Sequence, residues 1–253
     1  MPEKIRRINV LGTQVSAGSF ADGVDRLRQL VRRQQPAYVS CANAYSLSMS
    51  LSDKKLQSVL CRADMTTADG VPVVWAMKLL GAGNAERVHN DDLVLACCER
   101  FPEWKHYLVG GAAGQPEIVA AAMCQRFPGI DIVGVQATPI RPLPAENSLQ
   151  IVAAIEKSEA DIVWVGMGTP AQDFWMSEVS PELNIPLVGC GSLFDLLAGR
   201  TRAAPEWVKR NGLQWLFRLL QEPRRLLFRY SYHNTRFLFA FIWQYLSLKL
   251  KKL

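Results

Sequence analysis

Short runs of β-branched and apolar residues alternate along this chain with longer segments whose apolar positions recur every three to four residues. The short runs predict strands near 7–10, 37–40, 64–67, 106–109, 130–135, 161–165 and 186–189. The longer ones predict helices over about 19–33, 44–61, 71–80, 90–101, 115–126, 145–158, 171–179 and 192–198. Strand and helix in alternation argue for an α/β fold with a mainly parallel sheet between helix layers. After Gly199 the strands stop. Residues 205–220 and 223–248 read as two helices split at Pro223. Apolar and basic positions interleave there: Trp215, Leu216, Leu219 and Leu220 beside Arg218, then Leu226, Leu227 and Phe228 beside Arg224, Arg225 and Arg229. The run FLFAFIWQYLSL (237–248) is too short to span a bilayer yet apolar enough to lie in its interface. The pattern divides the chain into an α/β core, 1–199, and a helical appendage, 200–253.

Composition narrows the classes. Of 253 residues 49% are hydrophobic, which excludes intrinsic disorder. The N-terminal MPEKIRRINVLG has basic residues with no apolar stretch behind them, so no secretory signal is expected. The six cysteines form no CxxC pair and read as reduced thiols of a cytosolic protein; the three histidines have no zinc-ligand spacing to them. Charge is segregated: residues 200–253 carry twelve Lys or Arg against two Glu, +10 in a chain of net +6, which leaves −4 on the body. A basic tail on an acidic body calls for an anionic partner, and Lys249, Lys251 and Lys252 would meet anionic headgroups.

In an open α/β sheet the ligand lies at the carboxyl ends of the strands. At those ends stand Cys41-Ala42-Asn43, Asp69-Gly70, Gly110-Gly111, Gly166-Met167-Gly168-Thr169-Pro170 with Gln172, and Gly189-Cys190-Gly191-Ser192. Glycine-bearing strand-to-helix turns suit the approach of a phosphate to backbone N–H groups. GGAAG is not GxGxxG, and the next strand ends in Gln136 rather than an acid for a ribose, which counts against a nicotinamide enzyme. Neither a GxxxxGK[ST] loop nor a GxSxG elbow occurs, and no DxD triplet. Asp69 serves on position alone either as the N-cap of the helix at Val71-Pro72 or as a carboxylate aimed into the crevice. Asn43 has the same two readings for the helix at Ala44. Arg87 reads as a loop arginine, Asp91 and Asp92 as caps, His89 and His106 as structural, and Trp164, Trp175, Trp207, Trp215 and Trp243 as core or interface anchors.

The ordered stretches CANAY (41–45), RADMTTADGVPVVWAMKLLG (62–81), ERVHNDDL (86–93), YLVGG (107–111), VGMGTPAQDFW (165–175) and GCGSLFDLLAGRTRAAPEWVKRNGLQWLFRLLQEPRRL (189–226) resemble the WecG/TagA/CpsF family of bacterial glycosyltransferases over nearly the whole chain. The resemblance implies a Rossmann-like core with a membrane-contacting helical appendage that helps to close the site. It implies inverting, metal-independent transfer of a sugar of N-acetylmannosamine type, its uronate or a related hexose. The donor would be a UDP-sugar and the acceptor a polyprenyl-diphosphate-linked saccharide, in polysaccharide synthesis at the cytoplasmic face of the inner membrane.

On the same resemblance the catalytic aspartate of the A-D-G motif falls on Asp69, the general base. The asparagine of T-x-N falls on Asn43 and its threonine on Cys41, and the arginine of E-R-V on Arg87. The A-G-S-D loop becomes His89-Asn90-Asp91-Asp92, a bulkier and more acidic turn that bears on which sugar is accepted. P-x-Q falls on Pro170 and Gln172, with Asp173 for the usual glutamate, and the appendage arginines on Arg218, Arg224 and Arg225. Gly110, Gly111, Gly168, Gly189 and Gly191 complete the expected substrate-binding set. The rival readings are a non-catalytic sugar-nucleotide or polysaccharide-binding protein at the membrane and a nucleic-acid binder using the basic tail. The apolar 237–248 run and the lack of an RRM, KH or zinc motif oppose the latter, so no nucleic-acid partner is expected. The sequence leaves room for a homo-oligomer.

Overall fold

The structure is a computed structural model that describes residues 6–139, 143–205, 207–208 and 212–251, Arg225 by its backbone alone. The parallel sheet of the sequence reading is present. Six strands, β3 (Ala37–Ala42), β4 (Met65–Ala68), β5 (Lys105–Gly110), β6 (Asp131–Gln136), β7 (Ile162–Gly166) and β8 (Pro186–Gly189), lie in the order β4-β3-β8-β7-β5-β6, every pair parallel. Four of them, β3, β4, β7 and β8, are buried at every residue, as strands covered on both faces must be.

One helix layer is α1 (Phe20–Arg33), α5 (Asn90–Arg100), α6 (Gln115–Arg126) and α9 (Gly191–Leu197), packed around Leu27, Leu93, Met123, Trp164 and Phe194. The other is α3 (Lys54–Arg62), α7 (Ala145–Lys157) and α8 (Ala171–Val179), around Val59, Ile155, Trp175 and Met176. His106 is enclosed in the first layer, where it accepts from Trp164 Nε1 at 3.0 Å. Burial pushes the ring down to about 4, so it is neutral and structural.

The structure departs from the sequence reading in two places. Residues 7–10 are half of a hairpin: β1 (Arg7–Val10) pairs antiparallel with β2 (Thr13–Ser16) through a two-residue turn in which Leu11 and Gly12 both have positive φ. Leu-Gly lacks the Asn or Asp that advertises such a turn, and TQVS is too short to stand out. The single helix expected over 44–61 is two, α2 (Ala44–Ser50) and α3, because the Asp53 side chain accepts from Leu56 N at 3.0 Å and starts the second.

The hairpin, α2 and α4 (Val71–Leu79) form a third apolar cluster, and the C-terminal helix completes it. Of the expected helix over 205–220, Glu206 and residues 209–211 lie outside the described residues; its second half is α10 (Gln214–Gln221). Pro223 then opens α11 (Pro223–Leu250), 28 residues and about 42 Å long. Along α11, Phe237 and Phe241 are buried among Val10, Val15, Leu47 and Val73. Gln244 closes the contact by accepting from Leu11 N at 2.9 Å and donating to Asn9 O at 2.9 Å. His233 Nδ1 lies 3.0 Å from Ser48 Oγ on α2. The run 237–248 is therefore two-faced: one side is core, while Phe239, Trp243 and Leu246 stay in solvent.

Replacing Phe237 by Ala is expected to cost about 3 kcal/mol or more, as for other buried Phe→Ala changes. Trp243→Ala should stay within about 0.5 kcal/mol, since its ring is exposed. Urea unfolding midpoints of the two variants measure the difference.

Candidate active site

The carboxyl ends of β3, β4, β5, β7 and β8 open into one cavity of about 600 Å³, with Arg218 of α10 and Arg229 of α11 in its wall. Its polar character comes from a few side chains whose bonding is specific.

Asp69 follows the last residue of β4, and its own N–H donates to Ala42 O at 2.9 Å, which ties the turn to β3. The cap of α4 is Gly70, with no side-chain capping bond, so the Asp69 carboxylate is not spent on the helix. Instead Oδ2 accepts from Asn43 Nδ2 at 3.2 Å, and Oδ1 lies 3.5 Å from His89 Nε2. The side chain keeps 18% of its surface open, in the cavity wall. Asn43 meets both of its sequence readings. Its Oδ1 caps α2 by accepting from Ser46 N at 3.0 Å, which leaves the amide N–H groups for Asp69. Arg87 stands behind the turn: its Nε donates to the Asp69 carbonyl at 2.7 Å, and it does not line the cavity.

The glycines hold the strand ends together. Gly110 has φ +139°, and a Cβ there would lie 2.5 Å from the Gly166 carbonyl carbon, so β5 and β7 could not close up around any other residue. Gly110 is thus behind the wall, while Gly111, Gly168, Gly189 and Gly191 are in it. A Cβ on Gly191 would meet the Gly168 backbone at 2.8 Å. Gln172 is buried, and its Oε1 accepts from Gly168 N at 2.9 Å, which fixes that turn. Cys41 lines the cavity as a thiol, its ionisation pushed well up by burial.

The arginines sort differently from the expected set. Arg218 lines the cavity; Arg224 is exposed and does not; the role expected of Arg225 falls on a side chain outside the described residues. Arg200 and Arg229 line it as well, and the Arg229 guanidinium stacks 3.5 Å over the Tyr45 ring. Arg229 comes one helical turn after Arg225, a spacing legible in the sequence.

The expected caps of α5 are also something else. The cap is His89, with no side-chain capping bond, and Asp91 is buried in the cavity wall, where Oδ2 accepts from Ser192 Oγ at 2.6 Å. Burial raises the Asp91 carboxyl, against the pull of His89 and Ser192. Asn90 joins three elements: it accepts from Thr67 Oγ1 and donates to Gly189 O, both at 2.5 Å. These residues come together only in the fold. Beneath the Gly168 turn, the buried Asp173 carboxyl is pushed up to about 6 by loss of solvent, with the hydroxyls of Ser40 and Thr169 partly offsetting it. Among the described residues no group of three or more His, Cys, Asp or Glu side chains is arranged to hold a metal ion.

The family model described as Glycosyl transferase WecG/TagA/CpsF family matches residues 8–251. The N-acetylglucosaminyldiphosphoundecaprenol N-acetyl-beta-D-mannosaminyltransferase of Bacillus spizizenii is 27% identical over 192 residues, 75% of this chain and 73% of that protein.

Asp173 generates a pH prediction. A carboxyl whose folded value of about 6 exceeds its ordinary 3.8 binds its proton more tightly in the folded state. Its contribution to stability is therefore full below pH 4 and is lost as the pH rises through 6. Asp173→Asn, neutral throughout, should exceed the wild type by about 2–3 kcal/mol at pH 8, with the gap closing toward pH 4. Chemical denaturation at the two pH values checks this; a gap independent of pH would refute it.

Proposed function

This chain belongs to the WecG/TagA/CpsF family of glycosyl transferases, and from that premise we propose that it moves an N-acetylmannosamine-type sugar, its uronate or a related hexose from a UDP-sugar to a polyprenyl-diphosphate-linked saccharide, with inversion. The observation that carries the reading is the Asp69 carboxylate. It stands in the cavity wall, released from capping duty and held by a side-chain amide. The relative's name, which gives an N-acetyl-beta-D-mannosaminyl group and an N-acetylglucosaminyldiphosphoundecaprenol, supports the choice of sugar and acceptor.

Asp69 takes the proton of an acceptor hydroxyl as that oxygen bonds to the anomeric carbon. The bond from that carbon to the UDP oxygen breaks, and its electron pair leaves on the diphosphate. Base catalysis of this kind is worth about 10²–10⁴ in rate. In this reading no metal is required: the developing charge is met by Arg200, Arg218, Arg229 and the N–H groups of the glycine turns. Cys41, Asn43, Gln172 and Arg87 shape and brace the same wall. Through Arg200, Arg218 and Arg229 the tail forms part of the cavity wall, and there it limits attack by water.

Among the described residues no helix is long and apolar enough to cross a membrane. The exposed Leu227, Phe228, Phe239 and Trp243, together with Arg224 and Lys249, suit shallow seating in an anionic surface, where a lipid-linked acceptor would be presented. Cell-surface polysaccharide or exopolysaccharide synthesis is the process this serves.

UDP release from UDP-N-acetylmannosamine, with polyprenyl-diphosphate-linked N-acetylglucosamine as acceptor, tests the base. Asp69→Asn should lower kcat by about 10² or more at nearly unchanged donor KM. A variant within about tenfold of wild type would return Asp69 to a structural role. In the same assay Arg229→Ala should lower kcat/KM by about 10-fold or more, through lost stabilisation of the leaving diphosphate; unchanged kinetics would place the diphosphate elsewhere.

A further inference from the structure

His89 is nine-tenths buried and sits at the N-cap of α5, a position where a Ser, Thr, Asp or Asn would bond the helix. It makes no such bond. Its ring lies instead among three carboxylates, Asp69 and the first-turn Asp91 and Asp92 of α5. Nε2 lies 3.5 Å from Asp69 Oδ1 and 4.0 Å from Asp91 Oδ2, and Nδ1 lies 3.6 Å from Asp92 Oδ2. Asp91 is already engaged by Ser192, which leaves Asp69 as the nearer acceptor for Nε2. At 3.6 Å Nδ1 makes no hydrogen bond, so what orients the ring is the approach of Nε2 to the carboxylates.

We propose that His89 is the positioning residue of Asp69: it donates from Nε2 to Oδ1 while Asn43 donates to Oδ2, and the two donors hold the carboxylate in the rotamer that meets the acceptor hydroxyl. The inference rests on Asp69 being the base. It shares the logic of catalytic triads, in which the group that moves the proton is oriented by a third residue that touches no substrate. A separation of 3.5 Å is at the edge of hydrogen-bond reach, and catalytic contacts of this kind shorten when substrate fills the site. On its other edge His89 borders a side chamber of about 130 Å³ that it shares with Asp91, Asp92, Arg126, Arg202 and Arg218. The imidazole is thus the partition between Asp69 and this second space, and the bulk of the ring keeps the carboxylate from swinging into it.

The test compares His89→Ala, His89→Gln and Asp69→Asn in the full-length protein, with kcat and donor KM measured separately in the UDP-release assay. His89→Ala should lose about 10–100-fold in kcat, the cost of a misplaced catalytic group, with donor KM within about twofold. His89→Gln places an amide N–H near the position of Nε2 and should recover most of kcat. Wild-type kcat in His89→Ala, beside an inactive Asp69→Asn, would overturn the role of His89 alone. An active Asp69→Asn would overturn the base and this inference with it. If the Ala variant does not fold, the Gln variant decides: a folded His89→Gln as slow as Asp69→Asn overturns the proposal, and one near wild type supports it.

Discussion

The docking of α11 on the β1–β2 hairpin and α2 is the contact on which the site depends. Phe237 and Phe241 enter the same apolar cluster as Val10, Leu47 and Val73, and Gln244 satisfies two backbone groups of the hairpin. Burial of two aromatic side chains supplies several kcal/mol, enough to hold a helix that carries its own positive charge against an acidic body. That anchorage fixes where the earlier part of the tail runs. Arg229 then lies over Tyr45, and Arg218 in the cavity wall. Without it, the carboxyl ends of the strands would form an open crevice of glycine turns and carboxylates with few cations.

Within the cavity single side chains serve two elements at once. Asn43 caps a helix with its oxygen and holds Asp69 with its nitrogen, while Gln172 is committed to the Gly168 turn. Arg87 binds the carbonyl rather than the carboxylate of Asp69. The outcome is a carboxylate oriented by a neutral amide, the condition under which it can accept a proton from an incoming hydroxyl. Positive charge is gathered on the tail side of the same space, where a diphosphate would leave.

The sheet was legible because its strands are short apolar runs, buried on both faces, and the helix starts because Gly, Pro and Asp punctuate them. The crevice residues Asp69, Asn43 and the glycine turns were legible for the same reason: they sit directly after strands. The β2 strand was hidden because its turn is Leu-Gly and its four residues carry little pattern. The break at Asp53 was present as a cap signal inside a helical run whose apolar spacing continues through it. The loop of His89 and Asp91 was legible but their partners were not, since Asp69 and Ser192 are 20 and 101 positions away. Arg229 rather than Arg224 reaches the cavity because the facing side of α11 is set by Phe237, Phe241 and Gln244, contacts made far along the helix.

One measurement addresses directly whether the glycine turns and the tail make a single site: hydrogen–deuterium exchange of the full-length protein with and without UDP. Added protection is expected at the turns 110–114, 166–170 and 189–192 together with residues 214–230, since both walls contact one ligand. Protection confined to the turns, with 214–230 exchanging as in the free protein, would contradict it.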